Sequence, residues 1–222
     1  MHYKRVALAG GPFSFQGVSM KTPSLFAAAF ALLAALPTHG FAADAKGDFA
    51  VRGAGRLACS ELVDALETKD QRLTIFATWL EGYVTAANQF SDATFDSAPW
   101  QTTELLIALA GRSCAARANA NVMDVVGRLI AEMRPLRLRE RSPLVKIARP
   151  DEAQVHYRET VERVRARLIE LGYEFETTSI IGEKPQNEME AHLLDFQKQN
   201  GLPPSGRLDQ HTLLNLFVRP SE

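Results

Sequence analysis

Two cysteines and five histidines are the only thiol and imidazole groups in the 222-residue chain, and their positions decide which chemistry is open to it. Cys59 and Cys114 both lie in the first half. A catalytic cysteine needs an imidazole beside it, and no histidine occurs between residues 44 and 146. His156, His192 and His211 cluster toward the C-terminus, without the His-Glu-x-x-His pair or the spacing of a zinc triad. His192 and Asp195 can share a helix face as a base and its orienter, yet no serine or cysteine nucleophile motif accompanies them. Glu188 and Glu190 suit a solvated helix start better than an acid/base pair. Gly53-x-Gly55-x-x-Ala58 nominally matches a dinucleotide fingerprint, but that motif has meaning only after a buried strand inside a βαβ unit, and helical patterns follow here instead. The residues therefore read as those of a non-catalytic protein with no metal and no cofactor.

The elements that must position these groups begin after a leader. Residues 1–43 carry three basic side chains and no acid. Met20-Lys21 precedes the apolar run Leu25 to Leu36 and the small-residue stretch Gly40-Phe41-Ala42, the layout of a secretory signal peptide. At 12 residues the run is short of the ~20 needed to span a bilayer, so no stable membrane span is expected after cleavage. Residues 1–19 read as extra chain upstream of Met20. The destination is periplasmic or secreted. Over the whole chain 25 basic residues face 26 acidic ones, and no basic block is hidden in that balance, so nucleic acid is not an expected partner.

Export gives the two cysteines a role, because an oxidising compartment makes one Cys59 to Cys114 bridge their natural state; two unpaired core thiols are the alternative. Residues 44–133 form the domain that the bridge would close. After a short strand-like entry at Phe49-Ala50-Val51, apolar spacing predicts helices at about 60–68, 70–90, 102–118 and 122–133, a four-helix bundle. Within the second, Trp79-Leu80-Glu81-Gly82-Tyr83-Val84 stands out. A glycine there costs ~1 kcal/mol against alanine, so Gly82 is expected to let a helix or ring approach closely. Residues 134–150 hold six basic residues, one acid and three prolines, and read as a solvated basic linker, or as a segment attracted to an anionic surface.

Residues 151–222 make a second helical unit. Tyr157, Val161, Val164, Leu168 and Leu171 form one apolar stripe ending at Gly172. A polar loop is expected from Glu174 to Asn187. Met189, Leu193 and Phe196 form a second stripe that stops at Asn200-Gly201, and Asp209 can cap a third helix through Leu213 and Leu216. The fold class expected is thus all-α, a disulfide-closed four-helix bundle followed by a three-helix module.

Three stretches carry a resemblance. Leu168-Ile169-Glu170-Leu171-Gly172-Tyr173, then Leu193-Leu194-Asp195-Phe196-Gln197-Lys198-Gln199-Asn200-Gly201-Leu202-Pro203, then Ser205-Gly206-Arg207-Leu208-Asp209-Gln210-His211-Thr212-Leu213 resemble the signature pieces of the peptidoglycan-binding-like domain family. The likeness spans about Val155 to Leu216 and implies a three-helix wall-binding module. It departs from the family's pattern at Ile180 to Met189, where an Asp-Gly-aromatic-Gly turn is usual, and His192 stands at a small-residue position. In layout alone, Cys59, Gly82-Tyr83 and Cys114 resemble small disulfide-closed helical modules exported by Gram-negative bacteria, of the HdeA type or Tai-like.

These readings converge on an exported, non-catalytic envelope protein that binds peptidoglycan or docks on a wall-associated protein. The alternative is a periplasmic protein-interaction module, chaperone-like or inhibitor- and immunity-like, without wall binding. For the wall-binding face the expected residues are Gln197, Asn200, Arg207, Asp209 and Thr212, polar groups beside the helix ends and the turn, with Phe196 and Leu213 in the core.

Overall fold

The computed structural model describes residue 44, residues 46–147 and residues 153–218. The leader expected at 1–43 and the boundary expected near residue 150 lie outside them.

In the first block the chain makes α1 (Cys59–Thr68), α2 (Arg72–Phe90), α3 (Thr103–Ala115) and α4 (Val122–Met133). Each helix has a local reason to start or stop. Lys69 takes a left-handed φ of 53° and ends α1. Asp70 accepts the Arg72 backbone N–H at 2.8 Å, while the Arg72 guanidinium grips both Asp70 and Asp64. That grip holds the Asp70 carboxyl far below the usual carboxylate range. Thr102 caps α3 by accepting the Leu105 N–H.

The entry expected to be strand-like is not a strand; residues 53–56 form a 3-10 turn instead. The turn's glycines answer to Trp79. A Cβ on Gly55 would stand 2.2 Å from Trp79 Cζ2, so only glycine lets the backbone pass over the indole. At Gly111 on α3 a Cβ would meet Leu66 Cδ1 of α1 at 2.1 Å, a contact that the tip of the leucine side chain would have to vacate. Gly82, by contrast, is exposed with open space around it, and the close approach expected there occurs at Gly55 and Gly111.

Cys59 and Cys114 are bonded, tying α1 to α3 with Cα atoms 4.9 Å apart. Both are fully buried among Leu62, Ala65, Phe76, Leu80, Ala110, Val125 and Val126. The start of α1 is stitched to the start of α4, since Cys59 N donates to Ala120 O and Val122 N donates to Leu57 O.

Residues 134–147 differ from the solvated linker expected of them. Leu138 is fully buried and exchanges backbone hydrogen bonds with Asp96. Arg163 reaches back from the second block, donating to Leu136 O at 2.5 Å and Arg137 O at 3.0 Å while pairing with Glu159. Strand β1 (Leu144–Ile147) pairs antiparallel with β2 (Gln154–Tyr157), so the fold is mostly helical with a small sheet rather than all-α. Val145 and Ile147 alternate inward onto the second core. Prolines and arginines mask this pattern in the sequence, yet four extended residues bury just two side chains, which any neighbouring core can accept.

The second block contains α5 (Arg158–Glu170), α6 (Glu183–Gln199) and α7 (Gln210–Phe217) around Val161, Val164, Leu168, Leu193, Phe196, Leu213 and Leu216. Helices α5 and α6 end alike. Gly172 at φ 94° and Gly201 at φ 64° turn the chain, with Tyr173 N donating to Leu168 O and Leu202 N to Gln197 O, the Schellman arrangement. Helix α6 starts within the expected loop because Pro185 sits in its first turn, where no intrahelical N–H is needed. One core residue comes from elsewhere: Trp100, on the loop between α2 and α3, is buried in the second core with its ring 5.8 Å from that of Phe217. Gln210 fastens that loop, donating to Trp100 O at 2.6 Å and accepting from Thr102 N at 3.0 Å.

Candidate functional site

The five residues expected to form a binding face lie together, around the turn that joins α6 to α7, but two of them point inward. Gln197 is fully buried. Its Nε2 faces Thr212 Oγ1 at 2.8 Å, Arg207 O at 3.1 Å and Ser205 Oγ at 3.2 Å, and its Oε1 accepts the Gly206 N–H at 2.7 Å. Thr212 is fully buried as well. Asp209 caps α7 through the Thr212 N–H at 2.8 Å and accepts from Ser205 Oγ at 2.9 Å. Asn200 donates from Nδ2 to Phe196 O, closing the end of α6.

This is a polar knot that holds the 202–209 turn, with the Gln197 and Thr212 side chains spent inside the protein while Asn200 is exposed and Arg207 and Asp209 are half-buried. The expectation that Gln197 and Thr212 meet a ligand is therefore corrected: neither is reachable without opening the core. A polar residue on a helical stripe looks the same in sequence whether it faces water or a buried turn. The turn's own backbone groups, which must be satisfied when buried, are what draw Gln197 inward.

A different surface collects exposed chemistry. Past the Gly172 stop the chain runs Tyr173, Glu174, Phe175 and Glu176 over α6. His192 packs against both aromatic rings, with centroids 5.3 Å from Tyr173 and 4.6 Å from Phe175, and its Nε2 meets Glu174 O at 2.9 Å. Of the His192–Asp195 pair considered from sequence, His192 turns its Nε2 to the Glu174 carbonyl, while Asp195 accepts from Gln199 Nε2 at 2.7 Å and faces the Tyr173 phenol. The Arg165 guanidinium also lies over Phe175, 4.8 Å from the ring centroid. Burial first, and the charge of Asp195 second, raise the Tyr173 phenol above its ordinary value.

Beside these rings lies a depression of about 650 Å3 lined by Glu176, Glu183, Lys184, Asn187 and Glu188. Glu188, expected to be merely solvated, accepts the Glu176 backbone N–H at 2.6 Å. Lys184 pairs with Glu176 at 2.7 Å, and the hydrogen bond lowers the carboxyl's pKa and raises the amine's. Carboxylates, an amide and an ammonium beside aromatic faces can hydrogen-bond hydroxyls and amides while apolar ring faces stack. Among the described residues no group of three or more His, Cys, Asp or Glu is placed to hold a metal ion, and no helix is long and apolar enough to cross a membrane. Sequence reasoning passed over Tyr173, Phe175 and Lys184. The available signal was the alternation of aromatic and acidic residues directly after a helix stop.

Comparison with known proteins finds a match for one segment of the chain. No curated protein and no solved structure matches the chain. Residues 157–216, which span α5 to α7 and include the aromatic pair, His192 and the depression, match the family model of a peptidoglycan binding domain.

Proposed function

We propose that the protein is an exported, non-catalytic component of the cell envelope that holds peptidoglycan through residues 157–216. The match of that segment to the peptidoglycan binding domain carries the reading. The disulfide fits an oxidising compartment, and the leader read from residues 1–43 supplies the route. In this reading the first block is a bundle that the wall-binding block anchors, and the wall contact lies at the depression and aromatic rings between Tyr173 and His192. The turn at Gln197 frames the module without touching the polymer.

Sedimentation with purified insoluble peptidoglycan tests this. Wild type should pellet with the wall material. Glu183→Ala combined with Asn187→Ala removes two exposed polar groups of the depression without adding a cation that would itself attract the carboxylates of the wall, and should leave the protein in the supernatant, with its melting transition unchanged. If wild type stays in solution, the alternative of an interaction module without wall affinity takes over. If the double variant pellets like wild type, the contact lies on another face of the module.

A further inference from the structure

Helices α2 and α4 leave an open groove of about 430 Å3 between them, outside the family match and on the opposite block of the protein. That is within the roughly 300–1,000 Å3 of small-ligand pockets. Its lining has three parts. The floor is made of Ala86, Ala87, Gly127, Ala131 and Ile130. One wall carries Tyr83, whose phenol is raised by burial, and Phe90, a ring that is 73% exposed. The third part is cationic, from Arg134 and Arg137.

The cations are what single the groove out. Arg137 is pinned at the mouth, donating from Nε to Ala93 O at 3.1 Å and from Nη1 to Arg134 O at 2.7 Å. Burial and the neighbouring guanidiniums of Arg139, Arg134 and Arg163 all act against its charge. Among the described residues no carboxylate pairs with Arg134, Arg137 or Arg139. Ala93, the residue whose carbonyl holds Arg137, adopts a left-handed φ of 46°, a conformation that costs a non-glycine residue free energy. A strained loop thus steadies a guanidinium over an apolar floor, and among the described residues no carboxylate is paired with the cations there.

We propose that this groove is a second ligand site, one that takes a carboxylate-bearing segment of the peptidoglycan stem peptide. The assignment rests on the reading that the wall is this protein's target, and it is argued from the groove's own chemistry. A floor built largely of alanines and a glycine is shallow and accepts methyl-sized side chains, whereas an acyl chain needs greater depth. The Ser91 and Thr94 side chains lie on the rim, where a peptide backbone can bond with hydroxyls. Arg134 and Arg137 complement free carboxylates, which stem peptides carry between alanines. The Trp79 to Tyr83 string, distinctive in the sequence, acquires a role. Trp79 stacks on Tyr83 with centroids 5.6 Å apart and steadies the ring that closes one side.

The test is an NMR titration of the disulfide-bonded chain with a synthetic tripeptide of L-alanine, γ-linked D-glutamate and meso-diaminopimelate. Amide shifts at Ala86, Ala87, Gly127 and Ala131 are expected. Arg134→Glu reverses an exposed charge that makes no ion pair, and Ala131→Leu fills the groove from an exposed position. Each should weaken the tripeptide at least tenfold with the melting transition unchanged. No shift on α2 and α4, shifts confined to residues 157–216, or equal binding by both variants would overturn the proposal. So would occupancy of the groove by laurate but not by the tripeptide. Sedimentation keeps the two readings apart. A wild type that pellets with peptidoglycan while the groove stays silent loses only the second site. One that fails to pellet yet binds the tripeptide on α2 and α4 loses only the assignment to residues 157–216.

Discussion

Replacing Trp100 with alanine should destabilise the segment that carries the family match, although Trp100 lies more than fifty residues before it in the chain. The indole is only 7% exposed and belongs to the core formed by Val164, Leu193, Phe196, Leu213 and Leu216. A tryptophan buries about 150–250 Å2. At about 25 cal/mol per Å2 its removal forfeits about 5 kcal/mol, and residual burial in the unfolded chain trims that to about 3–4 kcal/mol. The cavity left beside Phe217 restores part of the difference, so the expected loss is about 4 kcal/mol, within the ~3–5 kcal/mol usual for such truncations. The Gln210 bonds to Trp100 O and Thr102 N are to backbone, and the substitution leaves both in place. Urea denaturation reports the magnitude, and amide exchange reports its location: protection should fall in α7 and α5. A loss under 1 kcal/mol, or lost protection restricted to α1 and α2, would refute the argument that the second core reaches across to the α2–α3 loop.

Other outcomes follow from the same structure. Cys59→Ser with Cys114→Ser opens a closed loop with a sequence separation of 55 residues and should cost about 4 kcal/mol in a chemical melt, the loop-entropy value. Gln197→Ala strands the buried Gly206 N–H and Thr212 Oγ1. It should cost about 3 kcal/mol, with any loss of wall sedimentation tracking the unfolded fraction rather than preceding it. His156 has a buried, unpartnered Nε2, and burial lowers its pKa from 6.5. Its folded pKa is below the unfolded one, so its contribution is intact above pH 6.5 and is lost as pH falls through the folded pKa. His156→Gln should flatten stability across that acidic window, measured by melts at fixed ionic strength.

Much of the fold was readable from local pattern. A helix from Val122 to Met133, ending before Pro135, matched the observed ends of α4, and the Gly172 and Gly201 stops fell where Schellman turns require a left-handed residue. Asp209 was legible as an N-cap because its partner is three residues away. The cysteine pair was legible because the chain holds only two. The resemblance in residues 168–213 needed no structure, since its pieces are contiguous and in order.

What the tertiary structure alone decided was which polar and apolar groups face one another across long separations. Gln197 carries the same helical address whether it binds ligand or a buried turn, and only the position of Gly206 and Thr212 settles that it binds the turn. Trp100 sits in a loop-like stretch of the first block, and nothing local assigns it to a core whose other buried members begin at Val161. Gly82 and Gly55 both interrupt apolar patterns, but only the path of the 53–56 turn over Trp79 shows which glycine a side chain would disturb. The basic 134–147 segment reads as solvated because its charges outnumber its apolar residues. It is nevertheless built in, because Leu138 is fully buried and bonded through its backbone to residues 95 and 96, while Val145 and Ile147 pack on the second core. Helix ends and stripes depend on contacts within a few residues, which the chain encodes next to each other. Faces, cores and grooves depend on contacts made only after the elements have packed.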